Sequence, residues 1–137
     1  MLKCLAVALL ACVTTLVFAQ EPGWFQVTVS VDGNDAYSIK LHSGQHTQNK
    51  QGQAITVIVG QISHKNTQTI ELVKWYVTGA DCAQGYGNLV ILDIDGNYEG
   101  ETPFAQDGKS VASAIASAIC AAGRANDSKG VSNNFQG

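Results

Sequence analysis

The chain is short of charge, and the charge it has is scattered. Its 137 residues include 8 Lys and Arg, 11 Asp and Glu and 3 His, a formal net charge of −3 at pH 7. A nucleic-acid-binding domain concentrates Lys and Arg in a patch that matches the phosphates, and this sequence contains no such patch. Scattered charges give no support to attachment at an anionic membrane surface either. The sequence therefore argues against both classes of partner.

A recognisable catalytic constellation is also lacking. The histidines, His42, His46 and His64, lie in or beside polar segments, at spacings that no regular element would bring together. We expect them to be solvated, although a metal site would form if the two polar loops met. No Ser-His-Asp or Cys-His arrangement is present, and residues 93–99 fit a hairpin turn better than a calcium loop. We expect no catalytic residue, no metal and no cofactor.

What the sequence does contain begins with an apolar leader. Lys3 precedes a nearly continuous apolar run over residues 5–18, and Val17 and Ala19 are small residues where a signal peptidase cuts. This pattern predicts a signal peptide over residues 1–19 that is cleaved after Ala19, and a secreted or periplasmic protein. A second interpretation makes Cys12 a lipidated anchor, because residues 9–12 resemble a lipoprotein cleavage box.

Removal of the leader leaves one domain and two cysteines. We expect a single secreted domain over residues 20–123 and a disordered tail over residues 124–137, which have little apolar content. Cys82 and Cys120 then form an even count in an oxidising compartment, where a single intramolecular pairing exists. The predicted disulfide closes a loop of about 40 residues and contributes about 3–4 kcal/mol to the free energy of unfolding.

Alternation of apolar and polar residues dominates the domain and predicts β-strands. We expect six of them, over residues 25–31, 37–42, 54–62, 69–78, 89–94 and 98–102. Pro103 should end the last strand or place it at a sheet edge. A change of apolar phase predicts a β-bulge near Leu72 and Val73. The polar segment 43–53 is predicted to be an exposed loop.

One helix is predicted over residues 110–121, with Ser110 as its N-cap and Gly123 just past its end. Ser113 should face the side opposite the apolar stripe, whose members recur at helical spacing: Val111, Ile115 and Ile119 with interleaved alanines. Cys120 lies off the centre of that stripe and should reach a flanking loop that holds Cys82.

These elements predict an α+β fold. It consists of an antiparallel β-sheet of about six strands, one C-terminal helix packed on it and a helix-to-sheet disulfide. Three aromatic residues are candidates for a binding surface: Trp75, Tyr76 and Tyr86. Because neighbouring residues of a strand face opposite sides, one of Trp75 and Tyr76 should point away from the core.

Two segments resemble the bacterial surface-adhesin protein E family. Residues 73–83 run from an apolar strand into Asp81 and Cys82, and residues 116–124 contain Ile119 and Cys120 followed by a glycine and an arginine. The resemblance covers about residues 71–124. It implies an antiparallel sheet with the helix packed on it, and a surface role in binding host or matrix molecules.

Three functional hypotheses follow. The first is a small exported bacterial protein that binds a protein or matrix partner at the cell surface or in the periplasm, through segment 43–53, the glycine-rich turn 85–87 or a sheet edge. The second is a small secreted enzyme or enzyme inhibitor, which a cluster of acids and histidines would favour. The third is an envelope protein that assembles through a flat, unpaired strand.

Overall fold

The computed structural model describes the backbone of residues 22–134 and the side chains of residues 22–125. The predicted signal peptide, its cleavage site and Cys12 lie outside the described residues, as do residues 135–137. In the described range the strands are β1 (Trp24–Val29), β2 (Asp35–Lys40), β3 (Gln45–Gln48), β4 (Ala54–His64), β5 (Thr69–Thr78), β6 (Tyr86–Asp93) and β7 (Tyr98–Ala105). The helices of this range are α1 (Gly79–Gln84) and α2 (Val111–Asn134).

The strands form one antiparallel sheet, in the order β1-β2-β4-β5-β6-β7, and β3 pairs with the first half of β4. The predicted fold class is confirmed, with seven strands and the C-terminal helix packed on the sheet. Pro103 lies in β7, at the edge of the sheet, where a residue without an N–H is tolerated. Among the described residues, neither helix is long and apolar enough to cross a membrane.

The sheet has an inner face, which α2 covers, and an outer face on the opposite side. Because side chains alternate along a strand, the core draws on every second residue of β4 to β7. The buried cluster consists of inner-face side chains and one side of α2: Ile39, Ile58, Val73, Trp75, Val77, Leu89, Phe104, Ala112, Ile115, Ala116, Ile119 and Cys120. Burial of this apolar surface is the main stabilising contribution to the fold.

Trp75 is the largest side chain of this core and is only 2% exposed. Its indole ring crosses β4 at Gly60, where an added Cβ would lie 2.2 Å from the ring. The Tyr37 ring lies beside it, with 6.5 Å between the ring centroids. Glycine at position 60 is therefore required by the close approach of the tryptophan.

The disulfide between Cys82 and Cys120 is confirmed, with 5.5 Å between the two Cα atoms. The predicted loop around Cys82 is wrong, however, because these residues form the short helix α1. The Thr78 hydroxyl caps α1 by accepting from the Asp81 N–H at 3.1 Å. Cys120 is a buried member of the core and not an off-centre residue of α2. The bridge fastens α2 to the helix that directly continues β5.

The predicted end of α2 near residue 121 is wrong. The helix continues to Asn134 and so overlaps the predicted tail over residues 124–134. Gly123 is not a cap but a contact point, because a Cβ there would lie 2.9 Å from the Thr56 Oγ1 atom. A glycine in the helix lets α2 approach β4 closely, at a cost of about 1 kcal/mol in helix propensity.

The two serines at the start of α2 have different structural roles. Ser110 is the N-cap, as predicted, and its Oγ accepts from the Ser113 N–H at 3.0 Å. Ser113 does not face solvent, as expected, but is buried. Its Oγ accepts from the backbone N–H of Ala105 at 3.2 Å, which ties the helix to the end of β7.

The predicted β-bulge in β5 is wrong. β4 and β5 pair without interruption from Ile55 and Thr78 to His64 and Thr69. Leu72 is therefore exposed on the outer face, while Val73 is buried on the inner face. The change of phase marks apolar residues on both faces rather than an inserted residue. The predicted loop 43–53 is also partly wrong, since it contains the exposed strand β3.

Candidate functional site

A cleft of about 490 Å³ lies on the outer face of the sheet. A row of paired neighbours on three adjacent strands, Tyr76, Val90 and Glu101, runs across it. We call it the outer cleft. Its lining consists of Asn49, Gln51, Gln53, Tyr76, Thr78, Asp81, Asn88, Val90, Tyr98 and Glu101.

The turn between β3 and β4 forms one wall of the outer cleft. The Asn49 Oδ1 atom accepts from the backbone N–H groups of Gln51, at 3.1 Å, and Gln53, at 2.9 Å. The Asn49 Nδ2 group donates to the Gln53 Oε1 atom at 2.8 Å. An Asx-type turn of this kind fixes the backbone locally, so the wall keeps its shape without a ligand.

Asp81 of α1 forms another part of the wall. Its Oδ1 atom accepts from the Gln84 side-chain amide at 3.1 Å, and its Oδ2 atom accepts from the Asn88 N–H at 3.2 Å. Gly87 leaves room for this carboxylate, because a Cβ there would lie 2.1 Å from the Asp81 Cγ atom. The Oδ2 atom thus holds α1 against the start of β6, while the Oδ1 contact lies within α1.

The base of the cleft is apolar and its sides are aromatic and polar. Val90 is only 6% exposed and forms the base, Tyr76 is half-buried, and Tyr98 is 63% exposed. Glu101 is exposed beside them. Asp81 and Glu101 are the charged members of the lining, and both are acidic. Most of the lining is polar, and convergent amide, hydroxyl and carboxylate groups in a concave surface suit a polar ligand.

The predicted candidates occupy three different environments. Tyr76 lines the outer cleft, and the prediction that one of Trp75 and Tyr76 points away from the core is confirmed. Trp75 is wrong as a surface residue, because the inner face of β5 buries it. Tyr86 is 61% exposed but lies outside the cleft lining.

Sequence reasoning missed Tyr98, Asn88 and Glu101 as members of the cleft. Alternation could have placed each of them on one side of its own strand. Their meeting with Tyr76 depends on the register of two strand pairs, β5 with β6 and β6 with β7, and the second register shifts between Ile91 and Leu92. That shift has no sequence signature that period-2 counting detects.

A second polar group surrounds His64 on the inner face. Its Nδ1 atom lies 2.8 Å from the Asp35 Oδ1 atom, and its Nε2 atom lies 3.1 Å from the Glu71 Oε2 atom. Hydrogen bonds to Asp35 and then to Glu71 raise the pKa of His64 above its usual value. Both ring nitrogens lie within hydrogen-bond distance of a carboxylate, so the imidazole ring bridges β2, β4 and β5.

The histidines do not converge. His46 lies at the opposite end of β4, where its Nε2 donates to the Gly123 carbonyl at 3.2 Å and its Nδ1 accepts from the Thr56 hydroxyl at 3.2 Å. Eight strand residues, roughly 26 Å, separate Thr56 from His64. No three His, Cys, Asp or Glu side chains of the described residues are grouped to hold a metal. Asp35 and Glu71 themselves lie on opposite sides of the His64 ring.

Comparison of the chain with protein-family models, with curated proteins and with solved structures found no match. The geometry of the outer cleft is therefore the basis for a functional assignment.

Proposed function

We propose that this chain is a small exported bacterial binding protein that holds its ligand in the outer cleft, at the cell surface or in the periplasm, without catalysis. The observation that carries the proposal is the outer cleft itself. It is concave, its walls are fixed by hydrogen bonds of Asn49 and Asp81, and it combines aromatic, amide and carboxylate groups around an apolar base. Walls that are already in place lower the entropic cost of binding.

The enzyme hypothesis has less support from the same side chains. A general acid or base needs a free proton-transfer atom within reach of substrate. The Asp81 oxygens are occupied by Gln84 and Asn88, and both His64 nitrogens are occupied by carboxylates on the other face. These groups hold the fold together, and Glu101, the exposed carboxylate of the cleft, has no histidine beside it in the lining.

Export is supported by the predicted signal peptide and by the disulfide, since disulfides persist in oxidising compartments. The resemblance to the surface-adhesin protein E family stays a prediction. It agrees with a binding role, and it assigns no residue of the outer cleft.

The proposal is tested by capture from extracellular-matrix and envelope extracts on immobilised mature protein. Wild type and Tyr86→Ala should retain the same bound component, and Tyr98→Ala should lose most of it. Tyr86 is the matched control, because it is as exposed as Tyr98 and lies outside the cleft. Nothing specific on wild type, or equal capture by Tyr98→Ala, would contradict the proposal.

Edge-to-edge assembly is a second candidate, which the exposed strand β1 favours. β1 is an edge strand of the sheet, and its sequence Trp-Phe-Gln-Val-Thr-Val has no proline and no charge. The opposite edge, β7, carries Glu99, Glu101 and Pro103, which discourage pairing with another strand. A register shift between Gln26 and Thr28 is the one interruption along β1.

Sedimentation velocity separates this candidate from a monomer. In a symmetric antiparallel pair of β1 strands, Gln26→Lys would place two like charges near each other at the centre, and assembly should disappear. Thr67→Lys, in the exposed turn between β4 and β5, adds the same charge elsewhere and serves as control. A wild-type monomer at high protein concentration would exclude assembly through β1.

A further inference from the structure

We propose that the ligand of the outer cleft is a neutral oligosaccharide. This inference rests on the proposed function and deepens it by naming the class of ligand. It is carried by the two tyrosines of the cleft, by the amide groups of its lining and by the sign of its charges.

The tyrosines supply surfaces on which sugar rings can lie. A pyranose ring has an apolar C–H face, which packs on the negative face of an aromatic ring. Tyr76 lies on β5 and Tyr98 on β7, with β6 between them. Two strand spacings amount to about 10 Å. A chain of linked sugar units can span that separation of the two strands and reach both tyrosines.

The side-chain amides supply the matching polar groups. A sugar hydroxyl both donates and accepts, and an Asn or Gln side chain offers a donor and an acceptor of its own. Asn49, Gln51, Gln53 and Asn88 all line the cleft. Asn49 is committed to its own turn, which leaves the Gln51 and Asn88 side chains to face a ligand.

The charges of the lining decide between neutral and anionic sugars. Asp81 and Glu101 are its charged members, and both are carboxylates. A sulfated or carboxylated sugar would meet like charge there, which is costly where water is partly excluded. Asp81 is held by Gln84 and Asn88, so Glu101 is the acceptor best placed for a pair of ligand hydroxyls. The cleft therefore favours uncharged hexose or N-acetylhexosamine units.

The experiment is a two-dimensional ¹H–¹⁵N NMR titration of the mature, disulfide-bonded protein. The neutral probes are chitotetraose and cellotetraose, and the charged probes are a sulfated heparin tetrasaccharide and tetralysine. At least one neutral probe should shift the signals of Asn88, Val90 and Glu101. Tyr76→Ala and Tyr98→Ala should each weaken that binding about tenfold, equivalent to about 1.4 kcal/mol, and Tyr86→Ala should not.

Each other outcome overturns the inference. Binding of the sulfated probe alone would show an anion site, and salt-sensitive binding of tetralysine alone would show a site for basic peptides. No binding of any probe would remove the sugar assignment. The proposed function would stand on its own if capture from the extract still required Tyr98 but was unaffected by excess tetrasaccharide and by periodate oxidation of the extract. The ligand would then be something other than a sugar. If no probe binds and capture from the extract does not depend on Tyr98, both the oligosaccharide inference and the proposed binding function are contradicted.

Discussion

On the inner face of the sheet, apolar side chains pack against α2, which the disulfide between Cys82 and Cys120 fastens to α1. On the outer face, the same strands present Tyr76, Tyr98 and Glu101 to solvent around the outer cleft. Alternation along each strand separates the two sets of side chains. One face can therefore hold the fold together while the other carries a ligand, and substitutions should affect these two properties separately.

Removal of the disulfide should give the largest loss of stability. The Cys82→Ala, Cys120→Ala variant should lose about 3–4 kcal/mol of unfolding free energy, because the bridge closes a long loop in the unfolded chain. Urea denaturation measures the loss. Ligand binding in the outer cleft should change little at temperatures where the variant is folded, because the Thr78 hydroxyl and the Asn88 N–H still hold Asp81 of α1 in place.

The single variant Cys82→Ala is the control for the buried position of Cys120. It breaks the same bridge but keeps the sulfur of Cys120 in the core. Both variants should be destabilised to a similar extent if the cross-link is the cause. A loss well below 1 kcal/mol in either would contradict the role given to the bridge.

A larger side chain at Gly60, on the inner face, should give the next largest loss of stability. In Gly60→Ala the new methyl group must displace the Trp75 ring, and overpacking of this kind costs about 1–3 kcal/mol. Gly79→Ala is the matched control, since a Cβ there meets only the Ala54 carbonyl oxygen, at 3.7 Å. Thermal unfolding of both variants checks the difference.

A double-mutant cycle identifies the cause. Adding Trp75→Phe removes part of the ring that the new methyl group would meet, so the cost of Gly60→Ala should be smaller in that background. Equal costs in both backgrounds would show that backbone effects, and not the tryptophan, make glycine necessary at position 60.

Much of this fold could be predicted from the sequence, and the site could not. Period-2 alternation located the strands, and the count of cysteines gave the bridge. The end of α2 was wrong because Gly123 was taken as a helix terminator, when its real role is close approach to Thr56. Tyr76 and the segment 43–53, which supplies three side chains of the lining, were anticipated as binding surfaces. Their meeting with α1, β6 and β7 in one cleft was not, because it depends on strand register.

The smallest effect expected is a dependence of stability on pH that comes from His64. Its folded-state pKa is raised above the unfolded value of about 6.5 by hydrogen bonds to Asp35 and Glu71. Its contribution to stability is therefore fully present below about pH 6.5 and is lost as the pH rises through the folded-state pKa. Thermal unfolding between pH 6 and 8.5 should show a decline in wild type that His64→Gln lacks.

The decline should be small, because His64 and both carboxylates are partly exposed and solvent weakens their attraction. His42→Asn is the control, since His42 lies in the exposed turn after β2 with a positive φ that asparagine tolerates. It should keep the wild-type slope. Ligand affinity in the outer cleft should not follow the His64 titration, because the imidazole lies on the other face. A matching change in affinity would mean that the two faces are coupled through β4 and β5.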